Sequence, residues 1–483
     1  MAQLEHKVAS GVVWSFSEKL LTMIIQMVVS IVVARQLAPS DFGVMAIMTF
    51  FTSVALAIVD SGFSQTLIRK ESPTDEEYRS VLTFNVVVSL LLYALLLFAA
   101  PAIASLYDSP IITHIAPILF LVLPINSLCV VQTVMYTREF RFALISKIVF
   151  SASLISGITA VAMALAGYGI WSLVAQRLLQ MGIKAIAFWR LRRWRTKAHF
   201  SLNALRAMAP FSLRLLATDL IASIYNNVAQ LFIGKIHNTS TLGFYSQAQK
   251  LKDLPVTSTV QAVQGVTYPA LSKIAGDDEK FSEGYLRIMR LLGFAIFPIM
   301  LGFVAIASDM FLLLLGERWM PTVPYFEILS LSGIFYPLAI VSYNVLKTKS
   351  DGRVILHLEI AKRVIMTAVL AYTISQGVES VAWGMTAMSL IEFLLNTSTA
   401  MRHLSTSWSR LLGAILPSLL VAGVMFGALY MLQPYIATLH IALRLIIDIT
   451  AGATLYIGLG WMLRLGALKE TITLIKSLIK RNN

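Results

Sequence analysis

Long apolar runs recur along the whole chain and are separated by short polar connections. A membrane-spanning helix needs about 20 mostly apolar residues, and the runs reach this length repeatedly. They predict about fourteen transmembrane helices, at residues 11–34, 42–66, 81–104, 112–136, 146–167, 170–189, 208–235, 242–268, 288–309, 323–346, 355–376, 381–400, 411–432 and 441–463. The seventh and eighth segments are polar for membrane helices.

The composition of the chain predicts the same class of protein. Of its 483 residues, 57% are hydrophobic and 13% are charged, whereas soluble globular proteins carry about 25% charged residues. No polar block is long enough to form a separate soluble domain. The sequence therefore predicts an all-α integral membrane protein.

The formal net charge of +14 is spread unevenly along the chain. With the N-terminus placed in the cytoplasm, most Lys and Arg residues fall at the two termini and in the even-numbered connections. Four fall on the opposite side: Arg35, Lys235, Arg318 and Arg444. This is the positive-inside bias of membrane proteins, so both termini are expected to be cytoplasmic. The densest basic cluster, residues 190–200, is expected to anchor the topology on anionic lipid and not to bind nucleic acid.

The segment that follows the first predicted helix recurs 200 residues later, where Arg35 aligns with Lys235 and Gly43 with Gly243. Three further matches follow in the same order: 74–80 with 280–287, 135–141 with 345–351, and 167–171 with 377–383. Four ordered matches with the same hydropathy pattern predict an internal duplication. Each repeat would contain six helices.

The repeat sets the predicted domain organisation. Residues 1–200 would form an N-terminal lobe that ends in the basic cytoplasmic linker, and residues 201–405 a C-terminal lobe. Six helices return the chain to its starting side, so the lobes are parallel repeats related by an axis along the membrane normal. Residues 406–466 would form an accessory helix pair, and residues 467–483 a basic amphipathic tail on the inner surface.

Two sequence motifs resemble a known family. The turn RQLAPSDFG (Arg35–Gly43) and the opening GVVWSFSEKL (Gly11–Leu20) resemble the polysaccharide transporter family of the MOP exporter superfamily, which includes the O-antigen and colanic-acid flippases. Fourteen helices, two lobes and a cytoplasmic N-terminus extend the resemblance over the full chain. The likeness is greatest to the colanic-acid or lipopolysaccharide exporters.

The resemblance implies a function and its partners. Such proteins move an undecaprenyl-pyrophosphate-linked oligosaccharide from the inner to the outer leaflet of the bacterial cytoplasmic membrane by alternating access. A cationic cavity, lined mainly by helices one, two, seven and eight, receives the pyrophosphate and sugars while the polyprenyl tail stays in lipid. Membrane lipids are implied partners, and a polysaccharide polymerase with its chain-length machinery is a further candidate.

The predicted cavity helices are rich in polar side chains at membrane depth, which lipid cannot satisfy. With neighbouring basic residues they give the candidate substrate-binding and cavity residues: Glu18, Lys19, Gln26, Arg35, Arg214, Asp219, Asn226, Asn227, Lys235, Lys250, Lys252 and Arg290. Arg and Lys both suit phosphate oxygens, so Arg214, Lys250 and Lys252 are the candidates for pyrophosphate contact on the inner side. Arg290 is a weaker one. Positive-inside anchoring is the alternative for all four.

Arg35 and Lys235 end helices one and seven on the outer side. They have two open roles. Either they anchor and cap helix C-termini, where cations are favoured, or they form an outer charge pair that attracts the departing pyrophosphate.

Glu18 and Lys19 place opposite charges next to each other inside the first helix. Neighbouring residues on a helix do not face each other, so each needs a partner elsewhere. Three roles are open for Lys19: snorkelling to the headgroups, a structural ion pair, or lining of the cavity. At the repeat offset, Lys19 aligns with Asp219 and Gln26 with Asn226. This suggests the hypothesis that Lys19 and Asp219 pair across the cavity when its inner mouth closes.

Three acids in the predicted spans are candidates for binding a coupling proton or sodium ion: Asp60, Glu359 and Glu392. Secondary transporters use membrane-embedded acids in this way. Asp60 and Glu392 are lone acids in their helices. Glu359 belongs to a polar group with Lys362 and Arg363, for which an interfacial helix face is the alternative role.

Motifs of several other functions are absent from the sequence. It contains no G-x-x-x-x-G-K-[ST] loop for ATP and no G-x-S-x-G serine nucleophile. Its single cysteine, Cys129, gives no cysteine-based metal site. We therefore expect a secondary transporter without a cofactor or metal, not an enzyme.

Two other functions compete with a flippase. A small-molecule or multidrug antiporter of the same superfamily should have an apolar or acidic cavity for organic cations, whereas the basic groups of helices one, seven and eight favour a pyrophosphate. An O-antigen polymerase or ligase is an enzyme of the same pathway. Such an enzyme needs sizeable outer loops, and only residues 317–324 offer one of any substance.

Overall fold

The structure, a computed structural model, describes residues 21–60, 62–192, 194, 197–274, 276–350 and 352–473, and only the backbone of residues 261–273 and 352. Its helices are α1 (Leu21–Gln36), α2 (Pro39–Asp60), α3 (Phe63–Arg69), α4 (Asp75–Leu106), α5 (Ile111–Leu119), α6 (Val122–Arg138), α7 (Phe142–Leu165), α8 (Trp171–Leu191), α9 (Leu202–Ile236), α10 (Thr239–Lys273), α11 (Asp278–Leu314), α12 (Val323–Lys349), α13 (Gly352–Thr373), α14 (Val378–Met401), α15 (Trp408–Ile436), α16 (Ile441–Met462) and α17 (residues 466–473). Short 3-10 turns, Glu317–Thr322 and Ile374–Gln376, precede α12 and α14. No β-strand occurs among the described residues.

The predicted spans are largely helical where the structure describes them, but residues 42–66 are divided between α2 and α3, and residues 112–136 between α5 and α6. Of the helical segments in these described ranges, ten are long and apolar enough to cross a membrane. Helices α8, α10 and α13 match the predicted spans at 170–189, 242–268 and 355–376 but are not among the ten, because their polar and charged side chains lower the hydropathy. The all-α membrane class is confirmed, and the count of about fourteen spans stays a prediction.

The chain divides into two compact units, Met1–Ser246 and Gln247–Asn483. In the first unit, α9 packs against α2, α3 and α4, while α7 packs against α8. In the second, α12 packs against α11 and α14, and α11 packs against α15 and α16. The predicted lobes, 1–200 and 201–405, follow the sequence repeat. They place α9 in the C-terminal lobe, whereas the division into compact units places it in the first unit. They stay a prediction, as do the accessory pair and the tail, of which residues 474–483 lie outside the described part.

Several long helices begin at a side chain that caps them. Thr74 precedes α4 in a capping box: its hydroxyl accepts from the Glu77 amide at 3.3 Å, and the Glu77 carboxylate accepts from the Thr74 amide at 3.0 Å. The caps of α9, α11 and α15 are Ser201, Asp277 and Ser407. Each cap satisfies an amide at a helix N-terminus that has no partner within the helix.

The core of the second unit is built from aromatic and aliphatic side chains. Phe281, Tyr285 and Phe297 are fully buried in it. A row of hydroxyl groups crosses this core: Tyr285 Oη lies 3.0 Å from Ser342 Oγ, which lies 2.8 Å from Thr397 Oγ1. Because the hydrophobic effect contributes little between helices in a bilayer, close packing and such hydrogen bonds hold α11, α12 and α14 together.

Candidate functional site

Helix α9 presents polar side chains on the surface of the first unit. Arg214, Asp219 and Asn226 are exposed over about three helical turns. Asn227 is half-buried and donates to the Ser223 carbonyl oxygen at 2.9 Å. Hydrocarbon cannot form hydrogen bonds, so the exposed groups require water, protein or a polar ligand around them. One helix of spanning length therefore carries four of the predicted cavity residues.

Asp60, at the end of α2, is not a lone acid. The Ser64 hydroxyl donates to its carboxylate, and both Asp219 and Lys184 act on it electrostatically. Lys184 lies on α8, with its ammonium 5.7 Å from the centre of the Phe188 ring. Two acids and a lysine from α2, α8 and α9 therefore lie near one another. The sequence pattern pointed to Asp60 and Asp219 separately and did not point to Lys184.

The two cations predicted on the outer side have different surroundings. Lys235 donates from Nζ to the Leu106 carbonyl oxygen at 2.8 Å, at the C-terminus of α4. A cation is favourable at such an end because the last carbonyl groups of a helix lack partners. Lys235 thus caps a helix, although the helix is α4 and not its own. Arg35 is exposed in the last turn of α1.

Gly43 and Gly243, which the sequence repeat aligns, lie where the N-terminal turns of α2 and α10 cross. A Cβ atom at Gly43 would lie 1.8 Å from the Thr239 carbonyl oxygen, and one at Gly243 would lie 1.8 Å from the Pro39 carbonyl oxygen. The contact is reciprocal and joins backbone to backbone, which only glycine permits. The sequence repeat therefore coincides with a symmetric contact inside the first unit.

A second contact joins the other end of α2 to α9. Gly62 has a φ of 68°, which favours glycine, and a Cβ atom there would lie 2.6 Å from the Ser212 carbonyl oxygen. Thr66 Oγ1 lies 2.7 Å from Ser212 Oγ. The Arg69 guanidinium lies 4.8 Å from the centre of the Phe211 ring. The segment α2–α3 is therefore in contact at both ends with helices of the second predicted repeat.

Helices α12, α13 and α14 enclose a lysine in the second unit. The Lys362 side chain is 6% exposed, donates to a Glu359 carboxylate oxygen and lies 3.2 Å from Glu392 Oε1. Its ammonium lies 5.1 Å from the centre of the Tyr343 ring. Arg363 pairs with the other Glu359 oxygen at 3.5 Å. The two carboxylates and two cations form a neutral group.

The contacts of Lys362 with Glu359 and Glu392 change the roles expected for these residues. Glu392 is not a lone acid, because it shares the Lys362 ammonium with Glu359. A coupling ion would have to displace that ammonium before it could bind both carboxylates. Lys362 is buried, so the polar group is not a fully exposed helix face at this residue.

Lys250 and Lys252 lie on α10 at the start of the second unit. Lys250 is exposed. The Lys252 side chain is 13% exposed, and its ammonium lies 2.7 Å from Asp253 Oδ1. A phosphate would have to displace Asp253 to bind Lys252, so the two lysines differ although the sequence pattern treated them alike.

Arg290 is engaged by an acid of the C-terminal helix α17. Its Nη1 lies 2.6 Å from Glu470 Oε1, and Arg287 Nε lies 3.1 Å from Glu470 Oε2. One carboxylate thus joins two arginines of α11 to α17. We assign Arg290 a structural role, since contact with a pyrophosphate would break this bridge.

Glu18 and Lys19 lie outside the described residues, so the pairing of Lys19 with Asp219 stays a prediction. Gln26 on α1 is exposed, as is Asn226, with which the repeat aligns it. Within the part of the chain that the structure describes, no group of three or more His, Cys, Asp or Glu side chains could hold a metal ion.

A further buried charged group was not expected from the sequence. Asp309 on α11 is 5% exposed, Asp448 on α16 is fully buried, and Arg444 pairs with Asp309. The signal that could have pointed to both acids is that Asp448 interrupts one apolar predicted span and Asp309 ends another, since an ionisable residue is costly in a membrane.

Comparison with known proteins gives a family match and full-length relatives. Residues 32–324, more than half of the chain, match the family model described as "Polysaccharide biosynthesis protein". The chain is 24% identical over 468 residues to the teichuronic acid biosynthesis protein TuaB of Bacillus subtilis (strain 168), which covers 95% of this chain and 96% of that protein. It is 25% identical over 435 residues to the succinoglycan biosynthesis transport protein ExoT of Rhizobium meliloti (strain 1021), covering 87% of each.

Two solved structures share the fold at 15% sequence identity. Lipid II flippase MurJ, in an inward closed conformation, has a TM-score of 0.70 and covers 93% of this chain and 97% of its own. An inward-facing multidrug resistance MATE family transporter of the MOP superfamily has a TM-score of 0.63 and covers 79% of this chain and 94% of its own. The predicted fold class is thereby confirmed.

Proposed function

Because the chain belongs to the polysaccharide biosynthesis protein family, as its motifs predicted, we propose that it carries an undecaprenyl-pyrophosphate-linked oligosaccharide across the bacterial cytoplasmic membrane, from the inner to the outer leaflet. Its class is a multi-pass membrane transporter and not an enzyme, which the relatives and the apolar helices confirm. Cytoplasmic termini belong to the proposal. So do a polysaccharide polymerase and its chain-length machinery as partners.

The exposed polar side chains of α9 are the observation that carries this proposal. A lipid-linked oligosaccharide has a hydrophilic head, which hydrocarbon excludes, and a polyprenyl tail, which dissolves in lipid. Arg214, Asp219 and Asn226 provide polar partners along a helix of spanning length. The Arg214 guanidinium can bind two phosphate oxygens at once. The head could therefore follow α9 while the tail stays in the bilayer.

Alternating access fits the two contacts made by the α2–α3 segment. In folds with parallel repeats, substrates bind near the middle of the membrane between the repeats, which rock against each other. We propose that the crossing at Gly43 and Gly243 closes the outer end of the path, and that the contact of Gly62 and Thr66 with Ser212 closes the inner end. The outer and the inner contact would open alternately, so that the path is open to one side of the membrane at a time.

A proton or sodium gradient is the proposed driving force. Asp60 is the first candidate for the coupling site, because it lies near a second acid, Asp219, on α9. Glu359 and Glu392 become weaker candidates, since both already bind the Lys362 ammonium.

A multidrug antiporter is the second candidate. The nearness of Asp60 and Asp219 favours it, because two acids would attract an organic cation. The family match and the exposed Arg214 favour the lipid-linked oligosaccharide instead.

The Arg214→Ala variant is expected to lower transport about tenfold, because charge-assisted hydrogen bonds to a phosphate contribute about 1.5–3 kcal/mol. In cells that lack the wild-type gene, the lipid-linked oligosaccharide should collect on the inner leaflet, and wild type should clear it. Protection from a membrane-impermeant probe measures this. Arg206→Ala is the matched control, since Arg206 is an exposed arginine in the first turns of the same helix, and it should stay within about twofold of wild type.

Normal polysaccharide in the deletion strain, together with a gain in drug sensitivity, would contradict the proposal and favour the antiporter. Equal losses in the Arg214→Ala and Arg206→Ala variants would show that Arg214 does not contact the substrate.

A further inference from the structure

Four polar side chains join α11 to the helices α15 and α16. This accessory cluster consists of Asp309, Gln433, Arg444 and Asp448. Arg444 Nη2 donates to Asp309 Oδ1, and Gln433 Nε2 donates to Asp448 Oδ2 at 3.0 Å. None of these residues takes part in the proposed transport path, so the cluster needs an explanation of its own.

Two of the four carboxylate oxygens in the accessory cluster accept no hydrogen bond from the described residues. Asp309 Oδ2 and Asp448 Oδ1 are both buried and have no hydrogen-bond partner among the described residues. The side chains themselves are deeply buried, at 5% and 0% exposed. Buried polar atoms in native proteins are nearly always partnered, so two such oxygens indicate a bound ligand. The two carboxyl groups also act on each other electrostatically, which places them near one another.

The charge of the accessory cluster leads to the same conclusion. Two carboxylates and one guanidinium leave one net negative charge. The charged groups that act on Asp448 are Asp309, on α11, and Arg444, on its own helix, while α15 contributes the neutral amide of Gln433. Arg444 is already paired with Asp309. A buried charge without a partner is strongly unfavourable, so a positive charge should be bound beside Asp448.

We propose that Asp309 and Asp448 form a proton site, in which one proton is shared between Asp448 Oδ1 and Asp309 Oδ2. A protonated carboxyl group donates a hydrogen bond and a carboxylate accepts one. A single proton therefore satisfies both oxygens and makes the cluster neutral. A hard metal cation needs about six or more oxygen ligands, whereas the site offers two. The proton belongs to the pair and not to one residue.

The proton site links α11 to α16. Asp309 and Asp448 lie within about two turns of the C-terminus of α11 and the N-terminus of α16. With the proton bound, the contact is neutral and both carboxylate oxygens gain a hydrogen bond, although Arg444 Nε still has no partner among the described residues. When the proton leaves, a net negative charge remains between the helices. Raising the pH until this proton leaves should therefore lower the stability of the protein.

Infrared spectroscopy of the purified full-length protein tests for the proton directly. At neutral pH, the wild-type spectrum minus that of Asp448→Asn should contain one carboxylic-acid C=O band that shifts in D2O. The amide of the variant can donate to Asp309 in the same way but carries no titrating proton. Asp278→Asn is the matched control, because Asp278 is an exposed acid of the same helix that pairs with Lys349, and its difference spectrum should lack this band.

Thermal unfolding gives a second measurement that does not depend on transport. As the pH is raised from neutral into the alkaline range, the wild type and Asp278→Asn should lose stability in parallel, while Asp448→Asn should lose less. The absence of an acid band from the wild type at neutral pH would overturn the proposal even if Asp448→Asn failed to fold. Stability that follows the sodium concentration at constant pH would also overturn it, in favour of a metal cation.

Discussion

Alanine in place of Gly43 or Gly243 is expected to abolish most transport. In each variant the new Cβ atom would lie 1.8 Å from a backbone carbonyl oxygen of the facing helix, and backbone cannot rotate away as a side chain can. Overpacking costs about 1–3 kcal/mol even where side chains adjust, so the closed crossing should lose at least about tenfold in population. Clearance of inner-leaflet lipid-linked oligosaccharide from cells should fall accordingly.

Gly182→Ala on α8 is the matched control for both variants. A Cβ atom at Gly182 meets nothing within 4 Å, and alanine is the better helix former, so transport should stay at the wild-type level. Because Gly43 and Gly243 make reciprocal contacts, their two variants should behave alike. Wild-type transport in both would show that the crossing is not a closure of the path.

The Lys362→Met variant is expected to lose about 3 kcal/mol of stability, because it removes the ammonium that Glu359 and Glu392 share. Breaking a buried ion pair costs roughly 3–5 kcal/mol. The lower end applies here, since the two carboxylates are 30% and 27% exposed and water can offset part of the loss. The melting temperature of the protein in detergent should fall clearly.

Lys347→Met is the control for Lys362→Met. The Lys347 ammonium lies 4.8 Å from the centre of the same Tyr343 ring, but the residue is exposed, so its replacement should change the melting temperature little. Adding Glu392→Gln to Lys362→Met should recover most of the loss, since the remaining carboxylate, Glu359, keeps its pair with Arg363. If Lys362→Met melts at the same temperature as wild type, the ammonium does not stabilise this group.

The helices could be predicted from the sequence because a bilayer imposes one length and one kind of surface on every span. The repeat is also visible in the sequence, where it aligns Gly43 with Gly243. The close approach of the two backbones, which would leave an added Cβ atom at either glycine 1.8 Å from a carbonyl oxygen, could not be predicted. A match between residues says nothing about the distance between two backbones.

The partners of polar residues were harder to predict than the residues themselves. Glu359, Lys362 and Glu392 could be named from the sequence, but their contact depends on how α13 and α14 are rotated and where they meet. For Lys235, capping of its own helix was one of two open roles, yet the carbonyl that it binds belongs to α4. Hydropathy gives the depth of a residue in the membrane but not the direction of its side chain.

Reconstitution of the purified full-length protein tests the central claim most directly. Proteoliposomes would carry an undecaprenyl-pyrophosphate-linked oligosaccharide, and the sugar that becomes accessible to an impermeant probe on the opposite face would be measured over time. We expect wild type and Gly182→Ala to move the sugar head, and Gly43→Ala and Arg214→Ala to move it much more slowly. A wild-type protein that exchanges an organic cation across the same membranes, but leaves the oligosaccharide where it was, would contradict this account.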